Sequence, residues 1–122
     1  MISKIKSIPF VNENSKMKDA LKILRSKNLG LIIAKNSKNN TTGIITDGDL
    51  KRKIQKNKNL QNLIVKQVMT INPICVDKNM LASKALSVMQ SNKITTLCVN
   101  NKKSQKKTIG IIHIHNILEA NI

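Results

Sequence analysis

Seven consecutive residues, Gly43-Ile44-Ile45-Thr46-Asp47-Gly48-Asp49, combine the side-chain types that hold a phosphorylated, ribose-bearing ligand. An apolar run gives way to polar residues that favour a turn and then a helix start, so the segment reads as strand, turn and helix. A helix N-terminus carries unpaired N–H groups and partial positive charge, which attract phosphate. Thr46 offers a hydroxyl that could donate to a phosphate oxygen. Asp49 could accept from the vicinal hydroxyls of a ribose, as acidic residues do in dinucleotide sites. Gly48 permits close approach or an unusual backbone angle, and Asp47 lies between these groups. The competing reading is that Asp47 or Asp49 simply caps the helix. The chain has six acids and places two of them here.

A second segment repeats the pattern in altered form: Gly110-Ile111-Ile112-His113-Ile114-His115-Asn116. His113 stands in the place of Thr46 and Asn116 in the place of Asp49. On a strand, His113 and His115 would share one face. They could be a metal pair, a ligand-facing pair, or polar residues at a strand end. Two histidines alone make a poor metal site, since zinc generally takes three or four protein ligands, so no metal site is assigned. Neutral imidazoles could bond a sugar or phosphate, and their charge near pH ~6.5 could tune affinity. Candidate ligand-binding residues are therefore Thr46, Asp47, Asp49, His113, His115 and Asn116. No nucleophile with a partnered base, no catalytic carboxylate pair and no Gly-Lys-Ser/Thr phosphate loop appears, so no catalytic residue is assigned.

The elements that must position these residues occur twice. Asp19-Ala20-Leu21-Lys22-Ile23-Leu24 aligns with Lys84-Ala85-Leu86-Ser87-Val88-Met89 at an offset of 65, and Gly43-Ile44-Ile45 with Gly110-Ile111-Ile112 at an offset of 67. The two extra residues fall in the lysine-rich stretch Asn100 to Lys107, where loop length has little energetic consequence. Each copy begins with a short extended segment, Ile8 to Val11 or Ile74 to Val76. Next comes an amphipathic helix, capped by Asn14 or Ser15 and running to about Lys27 in the first copy, and following Asn79 in the second. Apolar strands follow, Leu31 to Ala34 and Thr96 to Val99, then Thr42 to Thr46 and Thr108 to His113. Final helices are expected from about Gly48 to Lys56 and from about His115 to Ala120. The expected class is α+β: two βαββα repeats, a first module with linker over residues 1–63 and a second over 64–122. Continuous apolar strands imply burial on both faces, so the repeats are expected to dock sheet to sheet with pseudo-twofold symmetry.

The formal charge of +16 is the largest compositional bias and would by itself suggest an anionic partner. The excess is scattered lysine, accompanied by Asn and Ile. With one Phe and no Trp or Tyr there is no aromatic platform for bases, so nucleic acid is not expected. Cys75 and Cys98 sit in apolar stretches and read as small core hydrophobes, neither a disulfide framework nor a metal knuckle. No apolar run approaches the roughly 20 residues needed to span a bilayer, and the N-terminus lacks a signal-peptide pattern, so a cytoplasmic, membrane-free protein is expected.

The pattern Gly, two hydrophobics, Thr, two residues, Asp, followed by its degenerate copy, resembles CBS domain pairs. That resemblance implies an adenosyl nucleotide or related ligand in the cleft between modules. Thr46-Asp47-Gly48-Asp49-Leu50-Lys51-Arg52, the segment Met89 to Thr95 and the ending Gly110 to Ala120 further resemble the C-terminal region of bacterial D-arabinose 5-phosphate isomerases. Ile8-Pro9, Asn28-Leu29-Gly30 and Val68-Met69-Thr70 match in the same order. This narrower resemblance implies an upstream sugar-isomerase (SIS) domain that interconverts ribulose 5-phosphate and arabinose 5-phosphate, supplying 3-deoxy-D-manno-octulosonate for lipopolysaccharide. None of that domain lies in these 122 residues. The chain is thus expected to be a non-catalytic regulatory part of such an enzyme, which assembles as a homodimer or higher homo-oligomer. Its implied ligands are AMP, ATP or CMP-3-deoxy-D-manno-octulosonate, and the alternative is a free-standing nucleotide-sensing adaptor. Asn116 departs from the Asp usual in the family, and Asn121 from Gly; the first weakens any ribose contact from the second copy.

Overall fold

The computed structural model describes residues 8–27, 30–56, 59–71, 73–77, 79–100, 107–114 and 118. It forms two compact units, one over Ile8–Pro73 and one holding the described residues from Ile74 onward. Residues 64–73 thus lie with the first unit.

The first unit runs β1 (Phe10–Asn12), α1 (Met17–Lys27), β2 (Leu31–Lys35), β3 (Thr41–Thr46) and α2 (Asp47–Lys56), then a 3-10 turn at Leu60–Asn62, α3 (Val65–Val68) and β4 (Thr70–Ile71). The strands form one sheet in the order β1-β2-β3-β4. β1 and β2 are parallel and joined through α1, whereas β2, β3 and β4 pair antiparallel. Helix α1 forms because Met17, Ala20, Leu21 and Leu24 recur on one face. It buries Met17, Ala20 and Leu24 with Val11, Ile32, Ala34, Ile45 and Leu50, joined by Leu60, Val65 and Val68 from the segment after α2.

The helix starts at Met17, later than a cap at Asn14 or Ser15 would place it. The reason is tertiary. Asn14 N–H is turned back onto Asn12 Oδ1 at 2.8 Å. Ser15 carbonyl accepts Val65 N–H at 2.8 Å, and Met17 N–H donates to Leu63 carbonyl at 2.8 Å. The backbone before α1 is therefore committed to the 63–65 segment.

The second unit runs β5 (Cys75–Asp77), α4 (Ala82–Asn92), β6 (Thr96–Asn100) and β7 (Gly110–His113), with sheet order β5-β6-β7. Again the first two strands are parallel and the next pair antiparallel. Its core gathers Val76, Ala85, Met89, Leu97, Val99 and Ile112. The closing helix expected over 115–120 lies almost entirely outside the described residues. Helix α4 is flanked by Leu81, a cap with no side-chain bond, and by Lys93, a left-handed residue with φ 56 and ψ 43.

The repeat is visible residue by residue in the strand registers. Phe10 pairs with Ile33 in the first sheet, and Cys75 with Cys98, 65 positions on, in the second. Leu31 faces Thr46, and Thr96 faces His113. His113 therefore occupies the ladder position that Thr46 holds in the first copy. The chain is α+β, built from βαββα repeats.

Candidate functional site

The β3–α2 junction is where the first copy concentrates its polar chemistry. β3 has buried Gly43 and Ile45 in alternation, which delivers Thr46 to the end of the strand and Asp47 to the first turn of α2. Asp47 N–H donates to Gly30 carbonyl at 3.0 Å, tying the helix start to the residue before β2. Gly30 has φ +74, a left-handed conformation that suits glycine, and an added Cβ would lie 3.3 Å from Asp47 Oδ2. The Asp47 carboxylate thus lies over bare backbone.

Thr46 and Asp49 bond each other reciprocally. Asp49 N–H donates to Thr46 Oγ1 at 3.1 Å, and Thr46 N–H donates to Asp49 Oδ2 at 3.1 Å. This is a capping box with Asp at its third helical position. Asp49 Oδ1 also accepts from Arg52 Nη2; the Asp49 side chain is 16% exposed and that of Arg52 69%. Capping therefore accounts for Asp49, through Thr46, and not for Asp47.

The box leaves chemistry available. Thr46 oxygen accepts, so its hydroxyl proton remains to be donated, and each Asp49 oxygen keeps a second lone pair. Gly48 is exposed, and among the described residues no hydrogen bond is assigned to its N–H. A Cβ there would meet the Arg52 guanidinium at 3.6 Å, ordinary contact, and the residue has no left-handed φ. Steric need therefore does not explain Gly48, whereas Gly30 and Gly43 are positions where the fold calls for glycine. A Cβ on Gly43 would run into the Met69 side chain and approach Thr70 carbonyl oxygen to 2.9 Å. Asp47 and Asp49 at the start of α2, with Lys53 and Lys56 in its last turn, complement the helix dipole.

In the second copy β7 ends at His113, so the alternation argument for a shared His113 and His115 face stops there. His113 is half-buried. His115 and Asn116 lie outside the described residues. The structure thus gathers Thr46, Asp47 and Asp49 at one junction and sets His113 at the equivalent rung. Among the described residues no group of three His, Cys, Asp or Glu side chains could hold a metal. No helix among them is long and apolar enough to cross a membrane.

In the sequence Gly30 stands out only within the matching segment Asn28-Leu29-Gly30; its bond with Asp47 is what links it to the junction, and a glycine just before an apolar strand is the local signal for it. The reading of both cysteines as core residues holds for Cys98, which is buried, but not for Cys75, which is exposed at the start of a sheet-edge strand.

Comparison with known proteins gives a consistent picture. The CBS domain model matches residues 2–56 and 65–122. Arabinose 5-phosphate isomerase KdsD of Salmonella typhi is 35% identical over 115 residues, covering 94% of this chain and 34% of the relative. The chain therefore spans about a third of that relative's length. Among solved structures, the CBS domain pair of protein MJ0100, in complex with 5'-methylthioadenosine and S-adenosyl-L-methionine, has a TM-score of 0.85 at 21% identity, covering 99% of this chain and 95% of that one. CBSX2 in complex with AMP has a TM-score of 0.81 at 22% identity, covering 98% and 91%.

Proposed function

The chain belongs to the CBS-domain family, and from that membership we propose that it is the ligand-sensing, non-catalytic part of an arabinose 5-phosphate isomerase. The observation that carries the reading is the Thr46–Asp49 box, which keeps a hydroxyl proton, a carboxylate and the Gly48 N–H available at one helix start. A nucleotide phosphate would take the N–H and the Thr46 hydroxyl, and a ribose diol would donate to Asp49, displacing or joining the exposed Arg52. His113 and, beyond it, His115 and Asn116 would supply a second, differently built half-site. The adenosyl ligands named for MJ0100 and the AMP named for CBSX2 support a nucleotide. Identity of 35% with KdsD supports the isomerase context, with an upstream SIS domain, homo-oligomeric assembly, a cytoplasmic location and supply of 3-deoxy-D-manno-octulosonate for lipopolysaccharide. In that setting CMP-3-deoxy-D-manno-octulosonate would report the state of the pathway downstream.

Isothermal titration of the folded chain with AMP, ATP, CMP and the CMP-sugar tests the proposal. We expect saturable heat with at least one, weakened by Asp49→Ala. Absence of heat with all four would leave the junction a structural cap and refute the sensing role.

A further inference from the structure

Two thiols share one rung of the second sheet. Cys75 opens β5, Cys98 lies in β6, and the two are Cα partners in a parallel pair. Cys98 N–H donates to Ile74 carbonyl at 3.2 Å, which fixes that register. Registered residues of neighbouring strands project to the same face, and strands lie about 4.8 Å apart, within the roughly 4.4–6.8 Å Cα window of a disulfide. The α4 side of this sheet is taken by Val76, Leu97, Val99 and Ile112, so the thiols stand on the opposite face.

Their environments differ in the way a reactive pair needs. Cys75 is exposed and Cys98 buried. A hydrogen bond with the Cys98 thiol holds Cys75 below the ordinary thiol range, against the opposing pull of burial. The same bond, and then burial, push Cys98 far up, with Thr108 opposing through a further bond. One sulfur is thus an accessible thiolate source, and its neighbour a protonated thiol within hydrogen-bonding reach.

We propose that Cys75 and Cys98 form a peroxide-sensitive dithiol within the second CBS unit. Cys75 thiolate attacks the O–O bond of hydrogen peroxide, becoming a sulfenic acid as hydroxide leaves. Cys98 sulfur then displaces the sulfenic oxygen, which departs as water with the Cys98 proton, and an S–S bond closes. The two sulfurs lose two electrons together, and one peroxide is reduced to two waters.

The test treats the folded chain with stoichiometric hydrogen peroxide, alkylates what remains, and weighs and digests the product without reductant. We expect both thiols to be lost together, a mass decrease of two hydrogens, one Cys75–Cys98 cross-linked peptide in a monomeric chain, and reversal by dithiothreitol. Before oxidation, Cys75 should alkylate at least about tenfold faster than Cys98. In Cys98→Ala, Cys75 should stall as a sulfenic acid trapped by dimedone; in Cys75→Ala, Cys98 should resist peroxide. If Cys98→Ala does not fold, the parent chain and Cys75→Ala decide alone. Two thiols still alkylatable after peroxide, a disulfide joining two chains, or Cys75→Ala oxidised as fast as the parent would each overturn the proposal.

Discussion

Thr46→Val removes a hydroxyl while keeping the side chain's branched shape, so it separates the two duties assigned to the β3–α2 junction. The lost contact is the Asp49 N–H bond to Thr46 Oγ1 at 3.1 Å. Losing a side-chain cap destabilises by about 1 kcal/mol, within a range of about 0.5–2. The reciprocal bond from Thr46 N–H to Asp49 Oδ2 involves the backbone and survives, so the whole box is not lost. Arg52 adds little to the total because its side chain is 69% exposed and such ion pairs contribute about 0–1 kcal/mol. Valine's better strand propensity returns a few tenths of about 1 kcal/mol. Urea unfolding should therefore show a net loss of about 0.7 kcal/mol, roughly threefold in the folding constant, with the denaturant slope unchanged. Thr46→Ser keeps the hydroxyl and should retain most of the stability. With AMP as probe, Thr46→Val should bind more weakly than Thr46→Ser. Stability within about 0.3 kcal/mol of the parent, a small fraction of a cap's usual worth, would refute the capping argument. Equal AMP affinity in the Val and Ser variants would refute the phosphate-donor argument.

Gly43→Ala should destabilise by about 3 kcal/mol, read as a lowered urea midpoint, because the added methyl meets Met69 and the Thr70 backbone and forces β4 away. Gly48→Ala should do the reverse to stability, raising it by about 0.5 kcal/mol through helix propensity, while AMP titration shows weaker binding because the first-turn N–H is no longer bare. Leu81→Ser should stabilise by about 1 kcal/mol in thermal or urea unfolding: Leu81 is 74% exposed with extended backbone at the start of α4, and a serine there can cap a helix that lacks any side-chain cap. The pH profile of Cys75 alkylation should have its midpoint below the roughly 8.5 of an ordinary thiol, since its thiolate is favoured in the folded state, and Cys98→Ala should raise that midpoint by removing the hydrogen-bond partner.

Much of the architecture was legible because burial and repetition leave marks in sequence. β2 carries the unbroken, buried apolar run Leu31 to Ala34, and β6 the buried run Leu97 to Val99. The spacing of Ala20, Leu21, Ile23 and Leu24 marks the body of α1, though not its first residue. What was less legible depended on partners distant in sequence. β4 is two residues long, too short for any period, and exists because β3 offers an edge to Thr70 and Ile71. The start of α1 was displaced by bonds to residues 63–65, which no local cap rule contains. At the site, the Thr-x-x-Asp spacing of a capping box is present in the sequence, but Thr46 also reads as a strand residue, and its part in the cap shows only in the reciprocal bonds with Asp49. Gly48 drew notice as the glycine of the motif, while the positive φ belongs to Gly30, outside it.

The matching registers of the two sheets separate scaffold from chemistry. Where the second copy carries Cys75 beside Cys98, the first carries Phe10 beside Ile33, and Lys35 lies over the Phe10 ring at 3.4 Å. Both pairings satisfy the same parallel ladder, so the scaffold does not dictate what fills that rung. A repeated fold of this kind can therefore carry different chemistry at the same rung of its two halves. Phe10 against Cys75 and Thr46 against His113 are two rungs at which equivalent backbone holds side chains of different chemistry, so each half can do work of its own.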